Sequence, residues 1–222
     1  MNVNNTKEKI FSVAIDLFSK KGYNDVSMRE IAREVGIKEA SIYYHYSKKE
    51  DILESIFTYF MENMNKITIT KEDEEKFLSQ SPMMLYHYGS EGVKSQFKSV
   101  EMIKILRLMF IELYHNDKIK EFFLKELVYG IIDFWTLLFQ NLMDKKIIRK
   151  ADPKKLAESY YNYSMFKMFE TVVIKYPNNP SELDLDTIFN DIEDHFKFIL
   201  NYMSIDKSKN NSNNSNNEPK NI

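Results

Sequence analysis

The chain of 222 residues contains no cysteine. Disulfides, thiolate zinc sites and cysteine nucleophiles are therefore excluded. Glycine and proline are scarce, five of each, which argues against a turn-rich all-β fold and favours helix. No apolar run approaches the length a membrane span needs. The start, Met1 to Lys9, is polar and leads into an amphipathic segment, unlike a secretory leader. A cytoplasmic protein without a membrane partner is expected. Charge of one sign is also lacking. The net charge is −2, so any attraction to nucleic acid must come from local placement of cations. The four histidines (His45, His87, His115, His195) have no ligand-like spacing. Phosphate-loop and nucleophile motifs are missing too. No metal, cofactor or catalytic residue is expected.

What is present is helical periodicity. Over Thr6–Lys21, Ile10, Phe11, Ala14, Leu17 and Phe18 share one face. Gly22 suits the left-handed residue that ends such a helix. Ser27 with Glu30 reads as a capping box for a second helix, which Gly36 stops. A third short helix is predicted over about 38–45. Ser47 and Glu50 read as a second capping box, opening a long fourth helix with Ile52, Leu53, Ile56, Phe57, Phe60 and Met64 on one stripe. The β-branched stretch Ile67-Thr68-Ile69-Thr70 should end that helix, and the charged stretch 71–76 should be solvated. Ser81-Pro82 starts another helical region, with breaks near 97–99 and 116–117, reaching Asp144. Asp152-Pro153 opens a helix to Tyr176, Pro177 to Pro180 breaks it, and a last helix carries Ile188, Ile192, Phe196, Ile199 and Met203. Beyond Ser204 only Lys, Ser and Asn dominate, as in a disordered tail.

The two short helices joined at Gly36, with a packing helix before them, make a helix-turn-helix, in which the second short helix enters the major groove. The wording of residues 27–52, above all Ile42, Tyr43, His45, Tyr46 and Lys49-Glu50, closely resembles the signature of the tetracycline-repressor (TetR) family. Glu112 in an apolar helix and Asp152-Pro153 resemble weaker habits of the family's C-terminal half. The resemblance implies an all-α homodimer. An N-terminal three-helix DNA-binding domain (1–48) would precede a larger helical ligand-binding and dimerisation domain (49–204). Helix four (49–65) would link the two, and a disordered tail (205–222) would follow. It implies a transcriptional regulator, a repressor that binds a double-stranded palindromic operator and is released by a small hydrophobic effector. A DNA-binding nucleoid or protein-interaction factor without an effector is the alternative.

Carried over residue by residue, the resemblance places DNA contacts at Ser27, Arg29, Lys38, Glu39, Ala40, Ser41, Tyr43, Tyr44, His45 and Lys49. Arg29 matches a position that binds a base or a phosphate, and a guanidinium suits guanine O6 and N7. Ser41 matches a small hydroxyl position, Tyr43 and His45 positions touching backbone and base edges, and Tyr44 a variable aromatic facing the groove. Lys49 matches a phosphate-binding lysine. Tyr46 falls at an aromatic packing position. Two departures stand out. Lys38 replaces the usual capping residue. Glu39 either accepts from cytosine N4 or simply faces solvent. Residues 20–49 hold seven cations and four anions, net +3, so binding should be salt-sensitive without being extreme.

The C-terminal half is rich in aromatic residues, most of which should fill a core. A permissive apolar effector pocket is expected at Met84, Tyr88, Met109, Leu113, Trp135 and Phe139. The last two helices are expected to pair with a second copy as a four-helix bundle, through Leu156, Tyr160, Tyr163, Phe166, Phe169 and Val173 on one and the Ile188–Met203 stripe on the other.

Overall fold

The computed structural model describes residues 3–67 and 70–205. Thr68, Ile69 and the tail expected beyond Ser204 lie outside them, apart from Ile205. Among the described residues the fold is all-α. Its eleven helices are α1 (Val3–Lys21), α2 (Met28–Val35), α3 (Glu39–His45), α4 (Lys49–Met64), α5 (Lys71–Gln80), α6 (Pro82–Phe97), α7 (Val100–Glu112), α8 (Asp117–Phe122), α9 (Gly130–Asp144), α10 (Pro153–Phe169) and α11 (Leu185–Met203). No helix among these residues is long and apolar enough to cross a membrane.

Local chemistry sets the helix ends. Gly22 and Gly36 have φ of 86° and 79°, a region that costs other residues about 1–2 kcal/mol. The Ser27 side chain accepts from the Glu30 N–H at 3.1 Å. The reciprocal half of that box is not made. The Glu30 carboxylate instead accepts from Lys21 Nζ at 2.6 Å, tying the end of α1 to α2. At α4 the start lies one residue later than Ser47 and Glu50 suggest. Lys48 is the cap residue, and the Asp51 carboxylate accepts from its N–H at 3.2 Å. The Asp152 carboxylate accepts from the N–H groups of Lys154 and Lys155, with Pro153 in the first turn of α10.

The charged stretch 71–76 is largely exposed, as expected, but it also forms the start of a helix that the sequence did not show, α5. Thr70 caps it by accepting from the Asp73 N–H at 3.1 Å, and its acidic first turn complements the helix dipole. Leu78 is its one buried residue, too little apolar content to show as periodicity. Two π-helical turns were also not readable. Residues Phe123–Tyr129 join α8 to α9, and Glu170–Ile174 extend α10.

One continuous cluster of buried side chains runs through the molecule. Its N-terminal part joins Ile10, Ala14 and Phe18 of α1 to Ile31, Ile42, Ile52 and Ile56 of the next three helices. α7 then packs along α1, carrying the core onward through Met102, Ile105, Leu108 and Met109. Three polar side chains of α7 reinforce that seam. Lys104 donates to Asp16 at 2.6 Å. Arg107 donates to the carbonyls of Ser19 (3.3 Å) and Val172 (2.8 Å) and lies over the Tyr176 ring. Glu112 accepts from the Tyr23 N–H at 2.9 Å. Between α6, α9, α10 and α11 the rings of Tyr86, Trp135, Phe139, Tyr160 and Phe196 pack against one another, Tyr86 and Phe196 stacked at 4.5 Å.

The expected dimer stripe on α11 needs correction. Ile188, Ile192, Phe196, Ile199 and Met203 are all buried within the subunit. The exposed apolar residues of that helix are Phe198 and Tyr202, on its other side. On α10, Tyr160 is likewise buried, while Phe166 is exposed.

The two left-handed glycines should respond differently to alanine. An added Cβ at Gly36 meets nothing within 4 Å, whereas at Gly22 it would lie 2.6 Å from Glu112 Oε1. In urea unfolding we expect Gly36→Ala to cost about 1–2 kcal/mol and Gly22→Ala about 1–3 kcal/mol more. Equal costs would mean that the Glu112 contact does not constrain Gly22.

Candidate nucleic-acid interface

The face presented by α2 and α3 is built by burying the other side of both helices. Met28, Ile31, Ala32 and Ile42 turn inward, as does Tyr46 after α3. The Gly36 N–H donates to the Arg33 carbonyl and the Ile37 N–H to the Ala32 carbonyl, which makes a tight turn between them. What remains outside is Ser27, Arg29, Lys38, Glu39, Ala40, Ser41, Tyr43 and Tyr44, with His45 half-buried at the edge. Tyr44 is 80% exposed and meets His45 edge-on at 5.4 Å. Arg29, Lys38, Glu39 and Ser41 make no side-chain hydrogen bond or ion pair with other described residues. Their donors and acceptors are available to a ligand. Lys38 makes no side-chain cap for α3.

Lys49 is positioned differently. Its ammonium donates to the carbonyls of Tyr23 at 2.7 Å and Val26 at 2.8 Å, and lies 4.2 Å from the Tyr23 ring centre. Burial lowers its pKa, while Glu50, Glu112 and Asp25 pull the other way. In this structure the Lys49 ammonium is engaged within the chain, where it fixes the loop between α1 and α2. The partners of Lys49 lie more than twenty residues upstream, beyond any local sequence pattern. Glu112 is another residue whose bonding partner no local pattern reveals. Its only signal is a carboxylate in an otherwise apolar helix.

The six residues expected to line an effector pocket are not brought together. Met109 and Phe139 are fully buried, and Trp135 is half-buried among the interior aromatic rings. Leu113 is half-buried after α7. Met84 and Tyr88 are exposed on α6. Tyr88 alone lines an open groove of about 630 Å³, together with Lys66, Ile67, His87, Glu91, Gly92, Ser95 and Gln96. Among the described residues no cluster of side chains could hold a metal ion.

The fold and this outward face define a helix-turn-helix protein. Residues 10–56 match the family model described as bacterial regulatory proteins, tetR family. The biofilm operon icaADBC negative transcriptional regulator IcaR of Staphylococcus epidermidis is 47% identical over 60 residues, which are 25% of this chain and 32% of that relative. The similarity to this curated relative thus spans only a third of its length. A putative TetR-family regulator from Mesorhizobium loti has the same fold over 92% of this chain and all of that one, at TM-score 0.61 and 17% identity. The regulator in a structure described as a SmeT–triclosan complex does so over 91% of this chain and 93% of that one, at TM-score 0.59 and 16% identity.

Stability should separate the two cationic side chains. Lys49→Met keeps most of the aliphatic stem but removes the carbonyl bonds, and we expect a loss of about 1–3 kcal/mol in urea unfolding. Arg29→Ala should stay within about 0.5 kcal/mol of the parent. The reverse order would reassign Lys49 to the exposed face.

Proposed function

We propose that this protein is a transcriptional repressor that binds a palindromic DNA operator as a homodimer and releases it on binding a small hydrophobic effector. The observation that carries the DNA-binding part is the outward face of α2 and α3. It holds Arg29, Lys38, Ser41, Tyr43 and Tyr44, all exposed and none hydrogen-bonded through its side chain to other described residues, within the segment that matches the family model. An arginine fork can read guanine, and hydroxyl and aromatic groups can meet phosphate and base edges. The sign of regulation is supported by the relative named as a negative regulator. In this reading residues 1–48 read DNA, while 49–204 bind effector and partner, with α4 as the link.

A net local charge of +3 is small for one domain, so two copies are needed for tight binding. Phe166, Phe198 and Tyr202, exposed on α10 and α11, are the surface on which a second copy would close. The effector is supported by a fold neighbour described in complex with triclosan, an apolar aromatic compound. One observation favours the second reading, a DNA-binding factor without an effector. The aromatic rings between α6, α9, α10 and α11 already fill space that an effector would occupy. A melting temperature that rises with an apolar aromatic compound supports the first reading, and one indifferent to a panel of such compounds supports the second.

Binding is tested by fluorescence anisotropy with a duplex taken from upstream of the protein's own coding sequence and with an unrelated duplex. We expect the first to bind at least about 1,000-fold more tightly. Arg29→Ala should weaken it by about 5- to 150-fold, the worth of one bidentate base contact. Equal affinity for the two duplexes, or an unchanged affinity in Arg29→Ala, would overturn the proposal. Replacing Phe198 and Tyr202 together by Lys should give a monomer in light scattering and abolish tight operator binding. A dimer that persists would move the interface elsewhere.

A further inference from the structure

Tyr23 is held by two charged side chains from two different helices. Its N–H donates to Glu112 of α7 at 2.9 Å, and its carbonyl accepts from Lys49 of α4 at 2.7 Å. Its ring lies under the Lys49 ammonium. Glu112 is buried, and its second oxygen, Oε2, has no hydrogen-bond partner among the described residues. A buried carboxylate satisfied at only one oxygen is costly, and such a group persists where it holds something in place. Gly22, at φ 86°, leaves room for that carboxylate, since a Cβ there would lie 2.6 Å from Glu112 Oε1.

We infer that Glu112 and Lys49 form a two-sided clamp on the Tyr23 peptide, through which α7 and α4 jointly set the orientation of the helix-turn-helix against the rest of the protein. The loop from Gly22 to Ser27 connects α1 to the DNA-facing helices. It is therefore the segment whose conformation places α2 and α3. The remaining α7 contacts, Lys104 to Asp16 and Arg107 to the Ser19 carbonyl, fix α1 but do not reach this loop. α4 reaches it through the Lys49 bonds and through the Glu50 carboxylate beside the Tyr23 hydroxyl. A shift of α7 against α4 must lengthen one of the two bonds on Tyr23. Such a shift alters DNA affinity only as far as the clamped and released states differ in it. That regulatory meaning rests on the proposed DNA-binding function, but the clamp itself does not.

The test uses the absence of native cysteine. Spin labels are attached to the full chain at Glu34→Cys on α2 and Lys154→Cys on α10, both exposed. Labelled chain is diluted into unlabelled chain so that only distances within one copy are read. The parent should give one narrow distance distribution. Glu112→Ala and Lys49→Met should each broaden it at least about twofold, and the double variant should broaden it no further, because the two act on one peptide. Glu112→Gln, whose amide oxygen still accepts from the Tyr23 N–H, should remain narrow. Distributions unchanged in both folded single variants would overturn the clamp, as would broadening that adds in the double variant. Should Glu112→Ala fail to fold, amide exchange in the unaltered chain decides. The Tyr23 N–H should exchange at least about tenfold more slowly than that of Asp25, and equal rates overturn the clamp. No arm uses DNA, so the clamp and the DNA-binding function can fail separately.

Discussion

The N-terminal helices are fixed to the rest of the molecule chiefly along the seam where α7 runs beside α1, with α4 packed on them through Lys49 and the Phe11–Tyr59 contact. Apolar burial supplies the adhesion, and Lys104, Arg107 and Glu112 supply the register by bonding Asp16, Ser19 and Tyr23 in turn. Burial alone is non-directional and would permit sliding. A buried carboxylate on one backbone N–H would not, because displacement strands both groups without a partner. Much of the outward face depends on this seam. α2 and α3 have few attachments beyond α1, so they go where α1 and its following loop carry them.

Polar groups divide accordingly into those spent internally and those left free. Lys21, Glu30 and Lys49 bond one another or the backbone and hold the three-helix unit together. Arg29, Lys38, Ser41 and Tyr44 have no such duties and face outward. Internally bonded cations contribute rigidity and a local field, while free ones can exchange water for phosphate and base edges. The proposed operator reading needs both, because such a reader must be rigid within itself and movable as a unit.

The N-terminal helices were legible in the sequence because their boundaries rest on local chemistry. Gly22, Ser27 and Gly36 act within one turn of where they stand. The breaks near 97–99 and 116–117 and the Asp152-Pro153 start were readable for the same reason. α5 was not, since a helix with one buried leucine has no periodic stripe. The π-helical turns were not, because one widened turn hardly disturbs the spacing of apolar residues. α11 misled in another way. It is apolar on two sides, and nothing local says whether the isoleucine stripe or Phe198 and Tyr202 faces the subunit's own core. The bond from Glu112 to Tyr23 spans 89 residues, so it emerges only when the chain is folded. The outward site residues were read from the resemblance, and their exposure follows from the burial of Ile31, Ala32 and Ile42 on the opposite faces.

Sequence-specific reading by the α2–α3 face is tested most directly by selecting a random duplex library with the full chain and sequencing what it retains. A dimer reading DNA through two copies of that face requires enrichment of one two-fold symmetric motif, its half-sites one helical turn or a multiple apart. It also requires that Arg29→Ala relax the motif at the same position in both halves. A library that emerges unenriched, or a motif indifferent to changes at Arg29 and Tyr44, would contradict it.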